Sequence, residues 1–196
     1  MIREVSMMKR AVVAVALMVC VIVFAAERPA TWAKKIEKQG LPNLHQVSPT
    51  LYRSAQPLDG CDKAIQELGI KTVVNLRFSD TDTMMPKGVT VHNVKLTVMS
   101  VSDADIIRVL SILVKPENTP CLVHCQHGAD RTGVICAVYR VCVQGWTKDA
   151  AVEEMKNGGF GFHRLLANLP VVVRQMDAEA IRKVIFQQPM GQSLSD

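Results

Sequence analysis

The sequence predicts one α/β domain, a central, mostly parallel sheet of four to five strands flanked by helices. Three observations carry that prediction. Short apolar segments of strand character alternate along the chain with longer segments of helical periodicity, the order that builds parallel sheets through helical crossovers. One of those strands, Cys121-Leu122-Val123-His124, runs through a glycine-bearing turn into the apolar segment 134–141. A loop therefore sits at the carboxyl end of a central strand, where open α/β sheets carry their ligands. About 170 residues follow an N-terminal leader, the size of a single domain able to bury a full core, and no repeat or low-complexity tract divides them.

In the leader, Arg3, Lys9 and Arg10 precede an unbroken apolar run over residues 11–24, followed by Ala25-Ala26-Glu27. A basic start, an apolar core of about 7–15 residues and small residues at the exit make a secretory signal, with cleavage near Ala25 or Ala26. A membrane-spanning helix needs about 20 apolar residues, so no stable membrane insertion is expected after cleavage. The expected division is a signal peptide over 1–25, an N-terminal extension over 26–47, the main domain over 48–188 and a tail over 189–196. Export makes the product periplasmic or secreted.

Beyond the leader, residues 30–39 are expected as a short helix ended by Gly40 and Pro42, leading through Asn43-Leu44-His45 to a first strand at Leu51-Tyr52-Arg53. Residues 59–68 have helical spacing, with Ala64, Ile65 and Leu68 on one face and Gly69 as the stop. Residues 71–76 form a strand, and 89–96 alternate as another. Residues 103–114 make a helix whose apolar side is Ile106, Ile107, Leu110, Leu113 and Val114. Thr147 caps a helix through Met155, and residues 162 to 187 continue as a helix kinked at Pro170.

The chemistry lies in His124-Cys125-Gln126-His127-Gly128-Ala129-Asp130-Arg131-Thr132-Gly133. A helix starting there aims unpaired N–H groups and the positive end of its dipole into the loop, which favours an anion. The same field and a neighbouring cation lower a cysteine pKa by several units, making Cys125 a standing thiolate. Consecutive N–H groups of Gln126, His127, Gly128, Ala129, Asp130 and Arg131 form a nest for phosphate oxygens, and the planar guanidinium of Arg131 grips two of them. Arg131 also stabilises charge on the equatorial oxygens in the transition state. The Thr132 hydroxyl is placed to hydrogen-bond the sulfur and improve it as a leaving group. Gly128 supplies backbone freedom, Gly133 lets the helix approach the sheet, and His124 orients the loop from a buried position. Gln126 and His127 point outward, toward a leaving group.

His-Cys-x5-Arg-Thr-Gly resembles the signature of the cysteine-dependent protein tyrosine phosphatase superfamily, and this form is similar to the compact, exported bacterial dual-specificity type. The segments Pro49–Pro57, Gly69–Arg77 and 143–161 carry the resemblance further, so that it covers roughly residues 48 to 165. It implies a tyrosine phosphatase-like fold and metal-independent, cofactor-free hydrolysis in two steps through phosphocysteine. The substrate would be a phosphorylated protein or a small phosphate ester, as in periplasmic phosphatases that control biofilm formation. A phosphoinositide phosphatase is the alternative, which Ala129 weakens by standing where several lipid-phosphate relatives carry lysine. A noncatalytic phosphate-binding module is more distant still, given intact Cys125, Arg131 and Thr132.

In most relatives an aspartate from an upstream loop protonates the leaving group. The corresponding segment here, Thr97-Val98-Met99-Ser100-Val101, contains no acid. Asp130, inside the loop in a Gly-x-Asp-Arg-Thr ending similar to bacterial lipid-and-tyrosine phosphatases and myotubularin-type enzymes, is the first choice for the acid. Asp103 is the second. Each also has a structural reading: Asp130 as an orienter of Arg131 or of substrate, and Asp103 as a first-turn acid of a helix whose N-cap is Ser102 or Asp103 itself.

Other readings are weaker. Cys121, His124, Cys125 and His127 lack a second ligand pair at finger-like spacing, so no metal is assigned. A sulfurtransferase loop would not explain Arg-Thr-Gly. The formal net charge of +5 drops when Arg3, Glu4, Lys9 and Arg10 leave with the signal. The mildly basic remainder can gather phosphorylated substrates, but it has no Lys/Arg cluster for nucleic acid. Outside the leader stand Cys61, Cys121, Cys125, Cys136 and Cys142, an odd number that leaves a free thiol in an oxidising compartment. A regulatory disulfide from Cys125 to Cys121 or Cys61 stays open. Arg53 and Arg77 end strands, where they meet either substrate or carboxylates, and the glycine-rich stretch 157–163 reads as a rim beside the loop.

Overall fold

The computed structural model describes residues 28–79 and 85–187; the leader and the tail lie outside the described residues. The chain from Thr31 onward is one compact unit built on a six-stranded sheet. Its strands are β1 (Lys34–Lys35), β2 (His45–Ser48), β3 (Leu51–Ser54), β4 (Thr72–Asn75), β5 (Thr90–Asn93) and β6 (Cys121–His124), in the spatial order β1-β2-β3-β6-β4-β5. The pairings β3 with β6, β6 with β4 and β4 with β5 are parallel, and β1 with β2 and β2 with β3 are antiparallel. The α/β class and the parallel centre are as the sequence predicts, with more strands than the expected four to five.

The two extra strands arise where the sequence suggests a helix and a linker. Residues 30–39 form no helix. The Ala33 N–H, which a helix would leave open at its first turn, donates to the buried Glu154 Oε1 at 2.6 Å, and Lys34–Lys35 pair along β2. Residues 31–47, set apart by sequence as an extension, thus belong to the sheet.

β6 lies at the centre, its Cys121 to His124 in register with Leu51 to Ser54 on one side and Thr72 to Asn75 on the other. Ser54, His124 and Asn75 therefore end level, and the segments that follow them converge at one sheet edge. Alternation sorts the side chains into two cores. Leu51, Val74, Cys121 and Val123 face one layer, and Tyr52, Val73 and Leu122 face the other. Against the first pack α2 (Asp103–Leu113), α3 (Asp130–Cys142), α4 (Lys148–Asn157), α5 (Asn168–Gln175) and α6 (Ala178–Gln187). The second is closed by α1 (Asp62–Glu67), through Ala64 and Ile65, and by Leu41 and Leu44.

The helix ends follow local chemistry. Gly69, at φ 64°, stops α1. Ser102 rather than Asp103 caps α2: its Oγ accepts from the Asp105 N–H at 3.2 Å, and Asp105 Oδ2 accepts from the Ser102 N–H at 3.1 Å, a reciprocal capping box. Thr147 caps α4 as expected, accepting from Ala150 at 3.2 Å. The long helix expected beyond residue 162 is two helices. Pro170 sits in the first turn of α5, where its missing N–H costs nothing, and so produces no kink. The break comes at Asp177, whose carboxylate accepts from the N–H groups of Glu179 and Ala180 and starts α6.

One buried ion pair ties the layers together. Arg140 of α3 meets both carboxylate oxygens of Glu154 of α4 at 2.7 Å. Its remaining N–H groups reach the carbonyls of Val47 and Thr31 and the side chain of Gln144. Trp146 lies against the guanidinium, 4.2 Å from its ring centroid. Removing one partner leaves a desolvated charge. Glu154→Ala is therefore expected to lower the stability measured by urea unfolding by about 3–5 kcal/mol.

Candidate active site

The loop between β6 and α3 lies at the convergence edge. Gly128 has φ 69°, and a Cβ there would stand 2.5 Å from the Ser54 carbonyl carbon and oxygen. Both the backbone angle and the space demand glycine. Gly133 serves a different neighbour from the one expected, because a Cβ there would meet the Met155 side chain at 3.0 Å. It permits close packing of α3 on α4 rather than on the sheet.

Arg53 holds the loop from beneath. It is 1% exposed, donates from Nη2 to the Gly128 carbonyl at 2.6 Å and lies 3.7 Å from the Phe160 ring centroid. The sequence leaves Arg53 between a substrate and a carboxylate partner; it takes a loop carbonyl instead. Arg77 makes a hydrogen bond to the Gln56 side chain, and the Gln56 N–H donates to the Gln126 carbonyl at 3.2 Å, so it too supports the loop backbone. From the other side Asn43, at φ 54°, donates through Nδ2 to the carbonyls of His127 and Phe160, both at 2.9 Å. The carbonyls of Gln126, His127 and Gly128 are thus each held by a partner outside the loop.

Cys125 is 2% exposed. Burial pushes its thiol up. The Thr132 hydroxyl, the Thr132 N–H, the Arg131 guanidinium and the Gly128 N–H oppose burial and prevail, so Cys125 ionises below the ordinary cysteine range. The fully buried Thr132 Oγ1 reaches no conventional hydrogen-bond partner; the group it acts on is the Cys125 sulfur. Arg131 donates to the Leu76 carbonyl at 3.3 Å, which sets the guanidinium beside the loop. Gln126 and His127 are exposed, as expected of outward-pointing residues, while Gly128 and Ala129 are buried. His124 is fully buried, its Nδ1 3.4 Å from the Cys125 carbonyl oxygen.

The other cysteines are chemically quiet. Burial pushes the Cys121 thiol up to about 12 and the Cys142 thiol up to about 11, and raises Cys136. Cys121 stands four residues before Cys125 along β6, roughly 13 Å at strand rise, beyond the Cα separation a disulfide spans. Cys61 packs in the opposite core. Neither of the disulfides left open by the sequence fits this geometry.

The two acids part company. Asp130, at the start of α3, accepts from the His163 N–H on Oδ1 at 3.0 Å and meets His163 Nδ1 with Oδ2 at 2.8 Å. Its partner is His163, and Arg131 turns to Leu76 instead. Asp103 is exposed in the first turn of α2, and its charge acts on Cys142. Cys142 closes α3, about 18 Å of helix from Asp130. Asn43, Phe160 and His163 carry no signature in the sequence. Asn43 announces itself only as a residue type that tolerates positive φ, and His163 only as the end of the glycine-rich rim.

A family model described as the tyrosine phosphatase family matches residues 41–158, over half of the chain. The chain belongs to the tyrosine phosphatase family. It is similar to the dual specificity protein phosphatase TpbA of Pseudomonas aeruginosa, 39% identical over 160 residues, which cover 81% of this chain and 72% of that protein. The crystal structure of TpbA superimposes with a TM-score of 0.73 at 37% identity, covering 82% of this chain and 99% of that one. A variant of TpbA in complex with phosphotyrosine gives the same TM-score at 36% identity and the same coverage. This chain is accordingly a phosphatase of the cysteine-dependent, dual-specificity type.

Two substitutions probe the loop. Thr132→Val removes one cause of the lowered thiol pKa, so the midpoint for thiolate formation, read by ultraviolet absorbance, is expected to rise. Because the thiolate is lost as pH falls through that midpoint, activity in the variant drops away at a higher pH. Arg53→Met keeps the bulk but frees the Gly128 carbonyl, and kcat/KM is expected to fall roughly 10²-fold, the scale of a misplaced preorganised site.

Proposed function

We propose that this phosphatase hydrolyses phosphotyrosine, and more slowly phosphoserine or phosphothreonine, in exported or periplasmic proteins. The observation that supports the reading is a buried thiol with a lowered pKa in a loop whose Gln126, His127 and Gly128 carbonyls are engaged from outside, with Arg131 in the same loop. Cys125 Sγ attacks phosphorus and expels the alkoxide or phenoxide oxygen, which takes a proton from Asp130. Water then attacks the phosphocysteine, Asp130 takes the proton from that water, and the sulfur departs as a thiolate stabilised by the Thr132 hydroxyl. Arg131 and the N–H groups from Gln126 to Arg131 hold the equatorial oxygens through both steps.

Asp130 is favoured as the acid because it lies within the loop next to Arg131, while Asp103 acts on the far end of α3. His163 Nδ1, 2.8 Å from Asp130 Oδ2, positions that carboxylate. The protein substrate is supported by similarity to TpbA and its phosphotyrosine complex. Phe78, exposed three residues beyond β4 on the edge that bears the loop, is an apolar surface for a phenyl ring. Export rests on the basic start, apolar run and small-residue exit of residues 1–27. Among the described residues no helix is long and apolar enough to cross a membrane.

Phosphate release by the mature protein from phosphotyrosine peptides, phosphoserine peptides and phosphoinositides, in chelator and reductant, tests the assignment. Release fastest from phosphotyrosine and absent in Cys125→Ser is the expected result, whereas release untouched by that substitution overturns the mechanism. Asp130→Asn is expected to slow turnover of alkyl phosphates by roughly 10²–10⁴-fold, with a smaller effect on esters of acidic phenols. Asp103→Asn should match the parent, and the reverse order would transfer the acid role.

A further inference from the structure

The fold brings together three metal-ligating side chains that lie apart in sequence: His127 in the loop, Asp130 at the start of α3 and His163 beyond the glycine-rich stretch. The ring nitrogens of the two histidines and a carboxylate oxygen of Asp130 all lie within 4.8 Å of one another. We propose that these residues form a zinc-binding site at the mouth of the active site, through which Zn2+ inhibits the enzyme.

Two imidazoles and one carboxylate are a donor set suited to Zn2+, which binds nitrogen and oxygen at about 2.0–2.2 Å and so spaces tetrahedral ligands roughly 3.3 Å apart. Asp130 Oδ2 and His163 Nδ1, at 2.8 Å, already stand near that spacing. Asp130 is mostly buried and its Oδ1 is fixed by the His163 N–H. That second bond orients the carboxylate and leaves Oδ2 for an ion, as outer hydrogen bonds do for metal-ligating groups. His127 is exposed, and its ring centroid lies 5.5 Å from that of His163 at a 58° tilt. A small rotation of this free side chain closes the third ligand onto the ion. Three protein ligands leave the fourth position open to water or to an anion in the loop.

Both ligating nitrogens must be unprotonated to bind the ion. His163 Nδ1, which faces Asp130, is one of the two. Occupancy engages the Asp130 carboxylate that delivers the proton and sets an ion on His127, two residues from Cys125 in the loop. The binding site stands independently of the catalytic assignment; only the inhibition rests on it.

Calorimetric titration of Zn2+ into the mature Cys125→Ser protein tests the site with the thiolate ligand removed. One ion per chain is expected, with affinity reduced about tenfold or more in Cys125→Ser carrying His163→Gln or His127→Gln. Co2+ in the same protein should give the intense visible bands of four-coordinate geometry without thiolate charge transfer. In the parent enzyme, loss of phosphatase activity should follow zinc occupancy and reverse with chelator. Absence of binding in Cys125→Ser, or binding indifferent to both histidine substitutions, overturns the site. Binding that leaves parent activity intact overturns the inhibition.

Discussion

The hydrogen bond from buried Arg53 to the Gly128 carbonyl is the constraint on which the site depends. An anion-binding loop works only if its N–H groups point inward, which obliges its carbonyls to find partners elsewhere. Arg53 supplies one from below the sheet edge, and Asn43 supplies another for His127 from the side. Phe160 closes the space over the Arg53 guanidinium, and its own carbonyl is held by Asn43. Strand β3, the coil before β2 and the segment after α4 are thereby committed to one loop conformation.

That arrangement explains why the sheet is extended by an antiparallel edge. The parallel centre alone aligns the ends of β3, β6 and β4, but Asn43 reaches the loop only because β1 and β2 carry the chain back along β3. Arg140 and Glu154 fasten this edge to α3 and α4 through the carbonyls of Thr31 and Val47 and the N–H of Ala33. The pair is fully supplied with hydrogen bonds, the condition under which a buried ion pair holds a structure rather than weakens it. The buried ion pair and the loop arginine thus stand toward opposite ends of the same helix, with Arg140 in the last turn of α3 and Arg131 at its start.

The cysteines show how one environment separates reactivity from packing. Cys121, Cys136 and Cys142 meet burial with little to offset it, and their thiols stay protonated. Cys125 is as deeply buried, yet directed donors from Gly128, Arg131 and Thr132 reverse the effect. Depth of burial therefore does not distinguish the nucleophile; orientation of the surrounding dipoles does.

Much of this was legible in the residues themselves. The strand Cys121–His124, the caps at Thr147 and Gly69 and the glycine demanded at Gly128 follow from local periodicity and backbone sterics, which act over a few residues. The cysteine and arginine six apart at a strand-to-helix turn define an anion site for the same reason. Local signals failed where a distant partner decided the outcome. Residues 30–39 lose their helix to Glu154 and to β2, Pro170 is harmless because the helix begins later than the pattern suggests, and Gly133 answers to Met155. Asp130 meets His163, 33 residues away, and Asn43 meets His127 and Phe160. The sequence by itself determined the cysteine–arginine loop at a strand-to-helix turn and the α/β class, because each is written in contiguous residues. Only the tertiary structure decided that Asp130 meets His163 and which side chains hold the loop carbonyls, because those contacts join segments that only folding brings within hydrogen-bond reach.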